Sequence, residues 1–287
     1  MLHGPMPLLI MGGTGRIGRA LRGHADAFAA VGVRPMWQSR KAFPGCLQWD
    51  ILAEPCPNGA AAGVVLCLAG VVEGTTQELA LNEALAMAAC NAAAAQGARH
   101  VFLVSSAAVY GRSDLPLTEQ TVPAPTNAYG HAKLAMEQAV LAWHRADGPG
   151  VSILRIGNIA GFDALLGGST PHKDVQLDRI SGQAGGPERS YIGPQSLSAV
   201  LVRLVGLAAV GRPLPKILNV AAAPTIKMGE LLTAAGVPWH YGPPNPDAIA
   251  KVELDIKLLA GLVDLTPSAG RANVMVEEWR GLGHERT

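Results

Sequence analysis

A phenol and a primary amine stand four residues apart in Tyr129-Gly130-His131-Ala132-Lys133, and a pair of hydroxyls, Ser105-Ser106, ends an apolar run upstream. On a helix, positions i and i+4 share a face about one turn apart. A phenol ordinarily titrates near 10, so acid or base work at neutral pH asks its surroundings for roughly 4 kcal/mol. A neighbouring ammonium favours the phenolate. A lone Y-x-x-x-K is more often a surface pair. What gives this one weight is its place after a glycine-rich turn and a strand ending in serine. Consecutive strand residues point to opposite faces, so Ser105 and Ser106 do not both face one site.

The glycine-rich turn is Gly12-Gly13-Thr14-Gly15-Arg16-Ile17-Gly18, entered directly from the apolar run Leu8-Leu9-Ile10-Met11. Its G-x-x-G-x-x-G spacing suits a sharp turn with unusual dihedrals, close approach of backbone to a pyrophosphate, and tight seating of a helix on a strand. The helix that begins there offers free amides and a partial positive charge to phosphates. The end of the second strand selects the dinucleotide. An acid there binds the adenosine ribose hydroxyls of NAD, whereas an arginine accommodates the 2'-phosphate of NADP. The chain reads Gln38-Ser39-Arg40-Lys41 with no acid, so Ser39 and the forked guanidinium of Arg40 point to NADP over NAD, with Arg16 able to join them. The plainer alternative is that Arg40 and Lys41 are a solvated loop.

These groups need a scaffold, and the hydrophobic pattern supplies one. Apolar runs at Pro7 to Met11, Arg34 to Gln38, Cys46 to Trp49, Val64 to Ala69, His100 to Ser105 and Val151 to Ile156 read as strands. Helices fit at Arg16 to Val31, Glu78 to Gln96 and Ala128 to Ala146. Nearly continuous apolar strands alternating with helices predict an α/β fold, a doubly wound Rossmann-type parallel sheet covered on both faces. After Gly161 the pattern loosens: Gly167 to Arg189 is rich in Gly, Ser and charge, Pro238 to Pro246 is rich in proline, and a helix at Gln195 to Leu207 and a strand at Ile217 to Val220 lie between. The expected division is a dinucleotide-binding domain of residues 1–161 with about 190–222, and a small α/β substrate-binding cap of about 162–189 and 223–287.

Composition narrows the function classes. With 49% hydrophobic residues, 16% charged residues, 34 glycines and a net charge near +1, the 287-residue chain reads as a folded globular protein. The balance of 23 basic and 22 acidic residues, with no basic block, argues against nucleic acid or an acidic membrane as partner. Cys46, Cys56, Cys67 and Cys90 form no paired framework and read as reduced thiols of a cytoplasmic protein. The start of the chain reads as neither signal peptide nor membrane span. Eight histidines show no metal-ligand spacing, so no metal site is expected. His131 falls on another helical face than Tyr129 and Lys133 and is expected in solvent. Trp37, Trp49 and Trp143 are expected to pack rather than bind.

With these motifs in order, the sequence resembles the extended branch of the short-chain dehydrogenase/reductase superfamily, the NAD-dependent epimerase/dehydratase family. The likeness runs through Asp50-Ile51, Cys67-Leu68-Ala69-Gly70, the run from Phe102 to Gly111, Thr118-Glu119, Pro123, Pro125, the Tyr129 motif and Leu154-Arg155-Ile156-Gly157-Asn158-Ile159-Ala160-Gly161. The resemblance implies that Ser106 hydrogen-bonds the reacting oxygen, that Tyr129 is the general acid or base, and that Lys133 binds the nicotinamide ribose and lowers the tyrosine pKa. It further implies that Asp50 and Ile51 hold the adenine, with Leu68, Ala69 and Gly70 also along the cofactor, and that Asn158 and Arg189 meet the substrate, Arg189 as a diphosphate clamp or else as a surface arginine. Asn82 would position the tyrosine through water, or be an exposed or core-capping amide. A homodimer through the Ala-rich helix and the Tyr129 helix is also implied.

Departures from the family pattern shape the expected reaction. Sugar-nucleotide dehydratases of the family place Asp and Glu immediately after the catalytic hydroxyl residue, where this chain has Ala107 and Ala108, so elimination lacks its acid and base. Epimerases of the family usually retain NAD and carry the acid that Ser39 replaces. The expectation is therefore hydride transfer between nicotinamide and a carbonyl or secondary alcohol, on a sugar or nucleotide-sugar, as an NADPH-dependent reductase. A nucleotide-sugar epimerase with retained NAD and a non-catalytic NADP sensor are the alternatives. A second diphosphate-binding arginine is not apparent before Leu254-Asp255-Ile256-Lys257, which keeps a smaller carbonyl substrate open.

Overall fold

The structure is a computed structural model and describes residues 4–57, 62–167 and 174–282. Residues 168–173 of the irregular stretch, and 1–3, 58–61 and 283–287 of the two expected domains, lie outside the described residues. In chain order the first elements are β1 (Met6–Met11), α1 (Arg16–Arg22), α2 (Ala25–Ala30), β2 (Val33–Ser39), β3 (Cys46–Gln48), β4 (Val64–Cys67), α3 (Thr76–Ala95), β5 (His100–Ser106), α4 (Ala128–Trp143) and β6 (Gly150–Ile156). There follow β7 (Asn158–Ile159), β8 (Val175–Arg179), β9 (Glu188–Arg189), β10 (Tyr191–Ile192), α5 (Pro194–Ala209), β11 (Ile217–Val220), β12 (Ile226–Lys227), α6 (Met228–Ala234), β13 (Trp239–Pro244), β14 (Lys251–Val252), α7 (Lys257–Ala260) and α8 (Ala272–Gly281).

The single helix expected from Arg16 to Val31 is two helices. Gly23 is a poor helix former, and His24 at φ −110 and ψ 21 leaves the helical basin, so the chain breaks and restarts. The other helix starts are written in local chemistry. Thr75 and Glu78 form a reciprocal capping box at α3, and the Asn127 side chain accepts the Gly130 amide at 2.7 Å at the start of α4.

Two compact units divide the chain: one of Met1–Val109, Pro125–Arg155 and Ser198–Leu218, the other of Tyr110–Ala124, Ile156–Leu197 and Asn219–Thr287. In the first, a seven-stranded sheet runs in the order β11-β6-β5-β4-β1-β2-β3. Pairing is parallel, with Ile10 opposite Trp37 of β2, Met11 opposite Cys67 of β4, and Cys67 opposite Leu103 of β5. Strand alternation builds the core. Leu9, Met11, Val65, Cys67, Val101, Leu103 and Ile153 share a face and pack in one cluster with Ala86, Ala89 and Ala93 of α3 and Met136 and Val140 of α4. Small side chains let α3 lie close to the sheet. Leu8, Ile10, Val64, Leu66 and Phe102 point the other way and are equally buried, so the sheet is covered on both faces. Trp37 and Trp49 are buried packing residues as expected, and Trp143 packs on the same cluster.

The second unit is built from small sheets: β10 with β7, β13 with β8, and β12-β9-β14. It includes Tyr110–Ala124, which motif order had grouped with the dinucleotide-binding part. The reason is hydrogen bonding between residues distant in sequence. The Tyr110 hydroxyl donates to Asn219 Oδ1 at 2.7 Å, Asn219 Nδ2 donates to the Leu117 carbonyl at 2.8 Å, and Leu117 pairs with Leu254. Residues 190–197 also join this unit, through β10 and the start of α5. There Glu278 of α8 accepts the amides of Gln195 at 3.0 Å and Ser196 at 2.9 Å and the Ser196 hydroxyl at 2.6 Å. A carboxylate at a helix N-terminus satisfies orphan amides and complements the helix dipole. Glu278→Ala should therefore lower the stability of the chain by about 1–2 kcal/mol in urea unfolding; an unchanged midpoint would show that α5 starts without it.

Candidate active site

Parallel pairing brings the C-terminal ends of β1, β2, β4 and β5 to one edge of the sheet, and β1 is where the strand order reverses, with β2 on one side and β4 on the other. Such a switch point opens a crevice for ligands. The chain leaves β1 through Gly12, whose φ of +82 belongs to the region glycine favours, and a Cβ there would lie 2.7 Å from the Ala69 amide nitrogen. At Gly18 a Cβ would sit 2.5 Å from the Gly12 carbonyl, so this glycine lets α1 close onto the turn. Gly15 differs: it is exposed, and only the Gly12 carbonyl, at 3.3 Å, lies near where its Cβ would be. Gly15 is the N-cap of α1 and makes no side-chain cap, leaving an open backbone edge of the kind a pyrophosphate occupies. The cradle thus fits a dinucleotide. Thr14 and Ile17 are half-buried and Arg16 is exposed along it.

A residue that sequence reasoning assigned no role holds this turn. Gln38 is buried, accepts the Gly12 amide on Oε1 at 2.9 Å, and donates from Nε2 to the Trp49 carbonyl at 2.5 Å. A glutamine directly after the apolar Met36-Trp37 pair was the signal available in the sequence. Beside it the buried Ser39 hydroxyl lies 3.4 Å from that of Thr14. Arg40 and Lys41 are exposed. Asp50 accepts the Leu52 amide at 3.1 Å, and Ile51 is buried beside it in sequence. After β4, the Leu68 amide donates to the Met11 carbonyl at 2.9 Å. Gly70 comes closest to the catalytic candidates, since a Cβ on it would meet Asn82 Oδ1 at 3.0 Å and Lys133 Nζ at 3.3 Å. Asn82 is the buried amide of the readings left open: it donates to the Val71 and Leu79 carbonyls, both at 2.8 Å, and accepts the Val71 amide at 3.1 Å, so it fixes the backbone after Gly70.

Ser106, Tyr129 and Lys133 do come together. Ser106 stands beside the Tyr129 hydroxyl and favours its ionised form, its own Oγ accepting the Ala108 amide at 3.2 Å, and Lys133 Nζ lies 5.9 Å from the centre of the Tyr129 ring while donating to the Val104 carbonyl at 2.9 Å. Of the two serines, Ser106 faces the phenol. Ser105 is buried and donates at 2.5 Å to Glu137, which sequence reasoning did not single out. Gly130 is needed for this arrangement, because a Cβ on it would fall 2.4 Å from the Ala108 carbonyl. His131 is exposed as expected. Ala107 and Ala108 form a short turn after β5 and are half-buried.

The electrostatics differ from the simple expectation of a lowered phenol. Burial pushes Tyr129 above its ordinary value, and the neighbouring Ser106 only partly opposes this. Burial also brings the Lys133 amine down to about 8, against the pull of Cys67 and Glu137 toward the ammonium. The phenol is therefore held neutral here, and an added positive charge is what would release its proton.

In the second unit Asn158, Asp163 and Tyr191 form a second polar group. Tyr191 donates its hydroxyl to Asp163 Oδ2 at 2.9 Å, and Asn158 Nδ2 lies 3.4 Å from the same oxygen. Burial raises Asp163, although these hydrogen bonds resist it, and Tyr191 is raised well above its usual value by burial and by that carboxylate. Asp163 was missed, and the only sequence signal was an acid just after Gly161. Arg189 is half-buried on β9, donates to the Glu188 carbonyl at 2.8 Å, and has its pKa lowered by burial, with Asp178 opposing.

Lys133 gives a stability signature. Its folded pKa of about 8 lies below the 10.5 of the free side chain, so between these values the unfolded chain holds more protons and stability rises with pH. Below about 8 both states are charged and the burial penalty is present in full. Urea unfolding at several pH values from about 8 to 10.5 should show this rise in the parent and less of it in Lys133→Met; identical slopes would place the ammonium in water.

Similarity to known proteins fits this geometry. UDP-glucose 4-epimerase of Corynebacterium glutamicum is 30% identical over 178 residues, 56% of this chain and 54% of that protein, so the chain spans about half the length of that curated relative. A structure of UDP-glucose-4-epimerase from Stenotrophomonas maltophila, with bound NAD and formylated UDP-arabinopyranose, matches with a TM-score of 0.76 at 20% identity, covering 97% of this chain and 98% of that one. RMD from Pseudomonas aeruginosa, complexed with NADPH, matches with a TM-score of 0.71 at 18% identity, covering 97% and 99%. At these identities the structural likeness is one of fold. The sequence model of one family matches residues 8–173, from the strand before the glycine turn past the Tyr129 helix and Asn158. On that match, which takes in more than half of its length, the chain belongs to the NAD dependent epimerase/dehydratase family.

Proposed function

We propose that this protein transfers hydride between a nicotinamide dinucleotide and a secondary alcohol or carbonyl of a nucleotide-sugar, with Tyr129 as the acid or base. The observation that carries the reading is the meeting of Ser106 and the buried Lys133, one helical turn on, at the Tyr129 phenol. Gly12, Gly15 and Gly18 would hold the pyrophosphate, Ser39 and Arg40 the adenosine ribose, Asp50 and Ile51 the adenine, Leu68, Ala69 and Gly70 the intervening backbone, and Lys133 the nicotinamide ribose. The dinucleotide, when bound, supplies the hydride donor or acceptor and, when oxidised, a positive charge. Ser106 holds the reacting oxygen by a hydrogen bond. Tyr129 takes the alcohol proton, or returns it to the carbonyl, with Lys133 favouring the phenolate. Asn158 and Arg189 would bind the substrate, Arg189 suiting a diphosphate by its forked geometry.

Two courses are open to this machinery, and different observations favour each. Epimerisation with retained NAD is favoured by the relatives, which are named as UDP-sugar 4-epimerases. This reverses the ranking that Ser39 and Arg40 give by themselves. Reduction with exchangeable NADPH is favoured by that strand end, where Gln38-Ser39-Arg40-Lys41 carries no acid and Arg40 stands exposed. Neither course needs the carboxylates that Ala107 and Ala108 replace. The homodimer implied by the resemblance is left for sedimentation to decide.

Tyr129→Phe should lower kcat by about 10²-fold to 10⁴-fold while dinucleotide still binds in a fluorescence titration; retained turnover would remove Tyr129 from the chemistry. Dialysis of the purified protein separates the two courses. Nicotinamide that survives it, with interconversion of a UDP-sugar, supports epimerisation. Loss of it, with affinity for NADP falling about tenfold or more in Arg40→Ala and affinity for NAD unchanged, supports the reductase.

A further inference from the structure

We propose that Glu137 is the positioning residue of the helix that carries Tyr129 and Lys133: gripped by Ser105 and Arg155, its carboxylate sets where α4 presents the phenol and the ammonium. The proposal rests on the assignment of Tyr129 and Lys133 made above. Three consecutive residues of β5 hold three residues of one α4 face. The Val104 carbonyl takes the Lys133 ammonium at 2.9 Å, the Ser105 hydroxyl donates to Glu137 at 2.5 Å, and Ser106 stands beside the Tyr129 hydroxyl. Tyr129, Lys133 and Glu137 are spaced four residues apart, so they climb the same side of the helix over two turns. From the next strand, β6, Arg155 reaches the same carboxylate with Nε at 3.1 Å from both oxygens and its terminal nitrogen at 2.6 Å from Oε2. Ser105, Glu137 and Arg155 are each only 1–2% exposed.

Burial is what makes this more than a brace. A buried ion pair is a poor source of net stability, because desolvation of both ions offsets their attraction, and apolar replacements of similar volume are often neutral or better. Its directional bonds instead specify one arrangement of α4 on β5 and β6. A displacement of about 1 Å at reacting groups costs on the order of 10²-fold in rate. The carboxylate also has an electrostatic reach. The charged or titratable groups that act on Lys133 are Glu137 on its own helix and Cys67 of β4, with Tyr129 one turn away and Arg155 of β6 paired to Glu137. Glu137 favours the ammonium form of Lys133, against burial.

The test uses the full chain, its dinucleotide and whichever sugar substrate it turns over. Glu137→Gln combined with Arg155→Met removes both buried charges together, and Ser105→Ala removes a single hydroxyl. In the double variant, kcat should fall on the order of 10²-fold while melting temperature and dinucleotide affinity stay close to the parent, and the alkaline limb of the kcat–pH profile should move to lower pH. Ser105→Ala should lose about tenfold in kcat with KM unchanged, as a smaller shift of the same kind. A double variant that folds with parental kcat and pH profile overturns the proposal. If the double variant does not fold, Ser105→Ala decides: parental kcat and profile overturn the proposal, and the kcat loss supports it. Tyr129→Phe run in parallel keeps the two ideas apart, since turnover retained there sinks the assignment of the base, whereas an inactive Tyr129→Phe beside a fully active Glu137 variant sinks the positioning role alone.

Discussion

Parallel pairing of β1 with β2 on one side and β4 on the other is the constraint from which the site follows. Parallel strands end at the same edge, so residues far apart in the chain, Gly12, Ser39, Leu68 and Ser106, leave the sheet together. Each parallel connection must return along the sheet, and the helices that make those returns cover both faces. The apolar strands and the clustering of functional residues at strand ends are therefore two results of one geometry.

Close approach is the second theme, and it explains the small residues. The backbone after β1 runs against the backbone after β4, and α1 runs against the turn, because Gly12 and Gly18 carry no Cβ. Gly130 does the same for the start of α4 against the turn at Ala108, and Gly70 brings the loop after β4 to within reach of Lys133. Alanines of α3 allow that helix to lie flat on β4 and β5. These contacts position the glycine turn and the helix that carries Tyr129 and Lys133 relative to one sheet.

Burial then sets the chemistry available. It holds the Tyr129 phenol above its usual pKa and the Lys133 amine well below its own, so each is pressed toward its neutral form. A site biased in this way responds strongly to one added charge, because the low-dielectric surroundings that penalise an isolated ion also strengthen its attraction to an opposite one. The buried Glu137 and Arg155 pair follows the same logic, each ion meeting the other with hydrogen bonds of 2.6 to 3.1 Å.

Much of this was legible in the sequence. Strand periodicity, the glycine spacing and the Tyr129 and Lys133 interval are local patterns, and local patterns are set by dihedral sterics and by the repeats of 2.0 and 3.6 residues that any chain obeys. They yielded the sheet, the turn and the catalytic candidates, together with the exposure of His131 and the packing of the tryptophans. What they could not yield depends on residues distant in the chain. That Gln38 locks the glycine turn, that Ser106 rather than Ser105 meets the phenol, that Asn82 fixes a loop backbone, and that Tyr110 to Ala124 joins the second unit through Asn219 are all outcomes of tertiary packing. The pKa of Tyr129 is another, because burial and the neighbouring Ser106 decide its direction and neither is encoded in spacing. Sequence alone determined which groups were present and on which elements; only the folded structure decided which of them share a solvent-excluded space, and in that space interaction energies depend on distance and dielectric rather than on position in the chain.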